Sequence, residues 1–242
     1  MLYQGERIDE IGFSDLRLIQ KPDEFCYGVD AVLLADFASQ KQPKKIVDLG
    51  TGTGIIPHIL SHKTNAQTIY GIEYQKESVE RAIRSAQING LSHRLTFIRA
   101  NVAEFETLEG WADTVTANPP YMPGEGGITN VNTAKAMARH EMVGTLEDFI
   151  KCACRLLQDR GDFYMVHRPG RLVDIFTLCR KYKLEPKEMR MVAPREGQIP
   201  NIVLLHCVKN GKTELRLLRD LYVYKGKGVY SDEIQQIYER II

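Results

Sequence analysis

The sequence predicts an α/β fold with a doubly wound, mostly parallel sheet. Short β-branched strands alternate with helical segments between residues 46 and 117. A glycine-rich turn follows the first of these strands, and polar side chains stand at the ends of the next three. Composition agrees with this class, because 242 residues with 43% hydrophobic and 26% charged side chains suit one soluble domain with a sizeable core.

The first forty residues predict a short strand at 16–20 and a buried helix at 31–38, with Asp30 as the helix N-cap. The loop before this helix carries two aromatic residues, Phe25 and Tyr27. They can cover a ligand or form a hydrophobic lid on the helix. We assign Tyr27 and Asp30 as candidate cofactor contacts and expect residues 1–40 to form an extension over the cofactor site.

Residues 46–55 predict a strand, a tight turn and the start of a helix. Gly50, Gly52 and Gly54 occupy alternate positions, where glycine permits φ > 0 and lets a ligand approach main-chain N–H groups. The dinucleotide pattern G-x-G-x-x-G needs its third glycine one residue later, so NAD is disfavoured. Asp48 would repel a pyrophosphate but suits an ammonium and a sulfonium, as in S-adenosylmethionine. The candidate contacts are therefore Asp48, Gly50, Thr51, Gly52 and Gly54, and an ordinary glycine-rich connection is the alternative.

The next two strands, predicted at residues 68–73 and 95–99, each end in a polar residue. Glu73 follows the glycines by about twenty residues, the spacing at which such folds bind a ribose hydroxyl. Asn101 and Val102 follow the third strand, where they can meet the adenine of the cofactor. Between these strands, residues 78–89 predict a helix whose apolar face contains Val79, Ala82, Ile83 and Ala86.

A fourth strand, at residues 113–117, leads into the tetrapeptide Asn118-Pro119-Pro120-Tyr121. The two prolines lock an extended backbone, which makes this arm rigid. The Asn118 side-chain oxygen and the Pro119 carbonyl can both accept hydrogen bonds from one NH2 group, and Tyr121 can stack on a planar base or amide. Such acceptors stabilise the positive charge that develops on a poorly nucleophilic nitrogen during methylation. A Pro-Pro turn that only closes the strand is the alternative.

These motifs resemble those of the class I, Rossmann-like methyltransferases that act on amino or amide nitrogens. Residues 20–34, the central motifs and Ala138-Arg139-His140-Glu141 look like the bacterial valine-tRNA adenine-N6 methyltransferase family, over roughly residues 6–230. The resemblance implies a seven-stranded mixed sheet and an acceptor adenosine beside the anticodon. By position, it implies that Asn118, Pro119 and Tyr121 hold the target nitrogen. One departure is Asn101, because methyltransferases of this kind often carry aspartate there.

The charge distribution also fits an RNA partner. Residues 160–227 contain fifteen Lys and Arg against seven Asp and Glu, although the whole chain has a net charge of only +1. We expect RNA contacts from Arg139, His140 and Arg195, and a basic, aromatic appendage at residues 213–242. A solvated charged surface explains the charge alone equally well. The whole chain, residues 1–242, is predicted to be a single domain.

Other features narrow the function further. The five cysteines are scattered without C-x-x-C spacing, so we predict neither disulfides nor a metal. No apolar run is long enough for a membrane span and no signal peptide is visible, which predicts a cytoplasmic protein. Three alternatives stay open: methylation of another RNA base amino group, methylation of a protein glutamine amide, and RNA binding without catalysis. Oligomeric state is not predicted.

Overall fold

The fold is taken from a computed structural model that describes residues 2–23, 26–120 and 144–240. A central mixed sheet runs through it. The strands of the chain, in order, are β1 (Arg7–Glu10), β2 (Arg17–Gln20), β3 (Lys45–Leu49), β4 (Thr68–Glu73), β5 (Leu95–Arg99), β6 (Ala112–Ala117), β7 (Leu157–His167), β8 (Leu184–Ala193) and β9 (Ile202–Lys209), followed by the short β10 (Arg216–Leu217), β11 (Leu221–Tyr222), β12 (Tyr224–Gly226) and β13 (Val229–Tyr230).

The sheet has the strand order β10-β8-β9-β7-β6-β3-β4-β5, and β11 also pairs with β8. Strand β3 lies at the centre and pairs in parallel with β4 on one side and β6 on the other, and β9 is antiparallel to its neighbours β7 and β8. The chain reverses its winding direction at β3, which confirms the doubly wound fold. The predicted seven strands, β3 to β9, are present, and β10 and β11 add a short extension at the β8 edge.

Helices cover both faces of the sheet: α1 (Val29–Ser39), α2 (Ile55–Lys63), α3 (Lys76–Ile88), α4 (Leu146–Leu156), α5 (Leu172–Lys181) and α6 (Asp232–Ile237). Two clusters of buried apolar residues, one on each face, form the core. Thr145 and Asp148 cap α4 reciprocally, since each side chain accepts from the other residue's main-chain N–H. Within the described ranges, no helix is long and apolar enough to cross a bilayer.

Two local predictions about helices are wrong. Helix α1 begins at Val29 with Gly28 as its N-cap, so Asp30 falls in the first turn, where its charge favours the positive end of the helix dipole. Ile83 was expected on the apolar face of α3 but is 39% exposed. The apolar residues have the predicted helical spacing, but α3 buries only part of the helix face on which they lie.

The residues before α1 pack beside α3. Strands β1 and β2 form an antiparallel hairpin, and the main-chain N–H of Ile19 donates to the Ser85 hydroxyl at 3.0 Å. Arg84 of α3 makes two hydrogen bonds of 2.7 Å to the Glu6 carboxylate, and these bonds lower the pKa of Glu6 to about 2. The hairpin is therefore attached to the same helix whose N-terminus lies at the carboxyl edge of the sheet.

The residues after β9 pack along the β8 edge. The β12–β13 hairpin follows β11, and α6 places Ile234 and Ile237 in the core cluster that also contains Leu33 and Leu34 of α1. The main-chain N–H groups of Val223 and Tyr224 donate to Ala193 and Pro194 at the end of β8. This C-terminal segment is thus part of the same packed structure as the sheet.

Candidate functional site

The glycine turn between β3 and α2 has left-handed backbone conformations at alternate residues. Gly50, Gly52 and Gly54 have φ angles of 68°, 55° and 85°. The main-chain N–H groups of Gly50 and Thr51 both donate to the Ile72 carbonyl, at 2.9 and 3.0 Å, which fastens the turn to β4. Such φ values are unfavourable for other residues, so the sequence pattern and the backbone agree here.

The three glycines have different surroundings. A Cβ atom at Gly54 would lie 2.8 Å from the Phe97 ring, and one at Gly50 would lie 3.0 Å from the Phe149 ring. At Gly52 nothing lies within 4 Å of that position. Close packing therefore requires Gly50 and Gly54, whereas Gly52 is the glycine with open space beside it.

Glu73 lies directly next to this open glycine. The Gly52 N–H donates to Glu73 Oε2 at 3.0 Å, and the Gln75 N–H donates to Oε1 at 2.8 Å. Burial, with 5% of the residue exposed, raises the pKa of Glu73, and the main-chain donors partly offset that effect. Because each oxygen keeps a further lone pair, the carboxylate can accept hydrogen bonds from ligand hydroxyl groups.

Asp48 is buried between β3 and β6, with 0% of its surface exposed. The Thr116 hydroxyl donates to Asp48 Oδ1 at 2.6 Å. Burial is the largest effect on the pKa of Asp48 and raises it to about 7; the hydrogen bond from Thr116 lowers it, and the charge of Glu73 raises it. The Asp48 carboxyl group is therefore buried and does not reach the surface at the glycine turn. Its assignment as a cofactor contact stays a prediction.

The raised pKa of Asp48 predicts a pH dependence of stability. Its ordinary value is 3.8, so between about pH 4 and about pH 7 the unfolded chain has lost a proton that the folded protein keeps. The contribution of this group to the free energy of unfolding is complete below about pH 4 and is lost as the pH rises to about 7. Asp48→Asn cannot titrate, so the Tm of the wild type minus that of the variant should fall across this range.

Thermal unfolding of the cofactor-free proteins measures this difference. Thr116→Val removes the hydroxyl that stabilises the Asp48 carboxylate, so it should extend the fall to higher pH while its onset near pH 4, set by the unfolded chain, stays the same. A Tm difference between wild type and Asp48→Asn that stays constant from about pH 4 to about pH 8 would contradict the raised pKa.

The tetrapeptide begins where β6 ends. Ala117 pairs with Leu49 of β3, so Asn118 and Gly50 leave the sheet at neighbouring positions. Asn118 and Pro120 are half-buried and Pro119 is buried. Tyr121, Arg139 and His140 lie outside the described residues. Strand register thus brings the candidate catalytic residues Asn118 to Pro120 to the edge that carries the glycine turn.

Asn101 and Val102 follow β5 at the same edge, and the Ala100 N–H donates to the Glu73 carbonyl at 2.9 Å. Asn101 Oδ1 accepts from the Ala103 N–H at 3.0 Å, which forms an Asx turn and leaves its NH2 group pointing away from that bond. Val102 is buried in the core. An adenine amino group at this place would have to share the Asn101 oxygen with Ala103.

Tyr27, Asp30 and Arg195 are the remaining candidates. Tyr27 is half-buried and packs against the core cluster, and burial raises its pKa. Asp30 accepts from the Ala31 N–H at 2.9 Å. Arg195 is exposed on the loop between β8 and β9, and its guanidinium carbon lies 6.0 Å from the Tyr224 ring centroid. Since β8 is parallel to β6, this loop leaves the sheet at the same edge as Asn118.

Two residues that the sequence analysis did not single out hold site residues in place through hydrogen bonds. Gln20 is buried at the end of β2, and its amide donates to the Thr53 hydroxyl at 2.9 Å, which connects the N-terminal hairpin to the glycine turn. Thr116 donates to Asp48, as described above. The available signal was a polar residue at the end of an apolar strand pattern, but the partner is 33 residues away for Gln20 and 68 for Thr116.

Comparison with known proteins gives a consistent result. The methyltransferase domain family matches residues 40–219. A protein from Tolumonas auensis named tRNA1(Val) (adenine(37)-N6)-methyltransferase is 30% identical over 189 residues, which cover 74% of each chain. A protein of the same name from Pedobacter heparinus is 25% identical over 203 residues, covering 84% of this chain and 85% of the relative.

A solved structure shares the fold. It is protein Atu636 from Agrobacterium tumefaciens, described as a predicted O-methyltransferase. It superposes with a TM-score of 0.71 at 20% identity and covers 87% of this chain and 95% of its own.

Proposed function

This chain belongs to the methyltransferase domain family, and on that basis we propose that it transfers a methyl group from S-adenosylmethionine to the N6 amino group of an adenosine in tRNA. The acceptor is the adenosine beside the anticodon of a valine tRNA, the nucleotide in the names of the two relatives. The observation that carries the proposal is the register of β3 with β6, because it sets Asn118-Pro119-Pro120 beside the glycine turn.

The residues at this edge fit the cofactor. The open side of Gly52 leaves room for the methionine end, and Glu73 is oriented by two main-chain N–H groups to accept from the ribose hydroxyls. Asn101 and Val102 border the adenine, and the buried Asp48 provides negative charge for the ammonium group. When bound, S-adenosylmethionine supplies the electrophilic methyl group.

Asn118 and Pro119 act on the acceptor nitrogen. Their two carbonyl oxygens accept hydrogen bonds from the adenosine NH2 group and hold its lone pair out of the plane of the base. The same oxygens stabilise the positive charge on N6 as it gains the methyl group, and Tyr121 stacks on the base. The methylated nitrogen is acidic enough to release its proton to water, so no residue is assigned as a base.

RNA recognition and protection of the cofactor belong to the flanking residues. Arg139, His140 and Arg195 contact the RNA, together with the basic, aromatic segment 213–242. Residues 1–40 cover the cofactor site, with Tyr27 and Asp30 at its border. Gln20 supports this arrangement, because its hydrogen bond to Thr53 joins the extension to the glycine turn. The target base has to leave its stack, which is easiest in a single-stranded loop. The enzyme works in the cytoplasm.

Methyl transfer to tRNA tests the proposal. We expect label from S-adenosylmethionine to appear as N6-methyladenosine in a valine tRNA transcript that lacks modifications. A transcript in which guanosine replaces the adenosine beside the anticodon is the matched control and should take up no label. Label in the glutamine amides of a protein extract, with none in RNA, would replace this function by protein methylation. Cofactor binding without methyl transfer to RNA or to protein would indicate a non-catalytic binding protein.

A further inference from the structure

A column of aromatic rings runs from the core to the surface beside the β8 edge. Phe13 stacks on Tyr238, Tyr238 on Tyr230, and Tyr230 on Tyr224, with centroid separations of 5.8, 5.7 and 5.3 Å and interplanar angles of 18°, 13° and 11°. Phe13 is wholly buried and Tyr238 nearly so, whereas Tyr230 and Tyr224 are half-buried. The inner rings fix the orientation of the outer ones, so Tyr224 presents a pre-organised aromatic surface.

The outer end of the column lies at the carboxyl edge of the sheet. The Tyr224 N–H donates to the Pro194 carbonyl at 2.9 Å, and Pro194 is the residue that follows β8. Strand β8 runs in the same direction as β6, which ends directly before Asn118. The column therefore opens on the edge of the sheet where methyl transfer is proposed to occur.

Two exposed cations, Arg195 and Lys227, lie in the turns that adjoin this end of the column. The Arg195 guanidinium lies over the Tyr224 ring, and within the ranges 2–23, 26–120 and 144–240 no carboxylate lies within salt-bridge distance of Arg195 or of the exposed Lys227. Lys225, two residues before Lys227, forms an ion pair with Asp232 at 2.6 Å. Ile199, on the same loop as Arg195, is 88% exposed.

Two cations elsewhere on the basic half of the chain are paired with acids. Arg180 is 2.8 Å from Glu185 at the opposite edge of the sheet, and Arg190 is 2.6 Å from Glu233. A half-buried ring beneath a guanidinium without an acidic partner can stack on a base while the guanidinium contacts a phosphate. The Arg195 side chain is exposed and lies outside the core, whereas the Tyr224 ring also packs against the core cluster.

We propose that the face formed by Arg195, Ile199, Tyr224, Lys227 and Tyr230, the ring-column face, is the docking surface for single-stranded RNA next to the target adenosine. One base stacks against the Tyr224 end of the column, and Arg195 and Lys227 contact phosphates of the same strand. This inference rests on the proposed function and names the surface that holds its substrate. Stacking on a tyrosine accepts any base, so the face contributes affinity and orientation, and the choice of nucleotide is made at Asn118.

The test compares three substitutions with one control. Tyr224→Leu keeps an apolar side chain but removes the aromatic face, Tyr224→Phe keeps that face, and Arg195→Ala removes the charge. Lys212→Ala is the matched control, because Lys212 is an exposed cation in the turn after β9, at the opposite edge. The full chain is titrated with an unmodified valine tRNA transcript at several salt concentrations, and KM for this RNA, kcat and the Kd for S-adenosylmethionine are measured in parallel.

Tyr224→Leu and Arg195→Ala should each raise the Kd and the KM for RNA by roughly tenfold. For both variants kcat and the Kd for S-adenosylmethionine should stay within about twofold of wild type, since only docking is weakened. Arg195→Ala should also reduce the slope of log K against log salt by about one phosphate contact. Tyr224→Phe and Lys212→Ala should bind RNA like the wild type.

RNA affinities of Tyr224→Leu and Arg195→Ala within about twofold of wild type would overturn the inference, while methylation by the wild type would still uphold the proposed function. An equal loss of RNA affinity in Lys212→Ala and Arg195→Ala would also overturn the inference, because the loss would then come from the overall positive charge and not from this face. If the wild type binds the transcript through Tyr224 and Arg195 but does not methylate it, the docking surface stands and the proposed reaction fails.

Discussion

Asn118→Ala should reduce kcat for methyl transfer by about 100- to 1,000-fold, the loss seen when one oriented group that stabilises transition-state charge is removed. The Kd for S-adenosylmethionine should change less than about twofold. Asn118 leaves the sheet directly after β6, whose last residue pairs with the last residue of β3, so it borders the glycine turn without forming it. The alanine variant loses the acceptor for the N6 hydrogens but keeps both prolines.

Single-turnover methylation of a valine tRNA transcript, with separate titration of S-adenosylmethionine, separates the two effects. Asn201→Ala is the matched control, because Asn201 is an exposed asparagine that precedes β9 at the same edge of the sheet. It should keep kcat within about twofold of wild type at saturating RNA. A kcat for Asn118→Ala close to that of Asn201→Ala would remove Asn118 from the reaction.

Gly52→Ala should raise the Kd for S-adenosylmethionine by more than tenfold, or about 1.4 kcal/mol of binding free energy, while destabilising the fold by only about 1 kcal/mol. The stability loss is small because nothing lies within 4 Å of the added methyl group, so only the positive φ of 55° is unfavourable. The binding loss is large because that methyl group occupies the open space beside the glycine turn, where the cofactor is proposed to lie.

Gly90→Ala is a closely matched control. Gly90 has a φ of 68°, also has nothing within 4 Å of an added Cβ, and follows α3 at the opposite edge of the sheet. Both variants should therefore lose similar stability in denaturant unfolding, but only Gly52→Ala should lose cofactor affinity in calorimetric titration. Equal cofactor affinities of the two variants would show that the open side of Gly52 is not part of the cofactor site.

Much of the local structure is predictable from the sequence because it depends on neighbouring residues. Strands β4 (Thr68–Glu73) and β5 (Leu95–Arg99) have the predicted bounds, since each is a short β-branched or aromatic run with turn residues on both sides. The bounds of β7 were less predictable. The run Asp159-Arg160-Gly161-Asp162 predicts a turn before a strand at residues 163–167. In the structure β7 begins at Leu157 and Arg160 takes a φ of 61° within it, because pairing with β6 continues through a register shift.

The candidate site also has features that the sequence predicts and features that only the structure reveals. Sequence alone determined the glycine turn, the acid at the end of β4 and the Asn-Pro-Pro arm, since each is a local pattern whose chemistry is visible in a few adjacent residues. Only the tertiary structure decided that Asp48 lies buried against Thr116, that Gln20 holds Thr53, and that Phe13 and Tyr224 end one column of rings. These contacts join residues far apart in the chain, so they depend on strand register and packing, which no local pattern encodes.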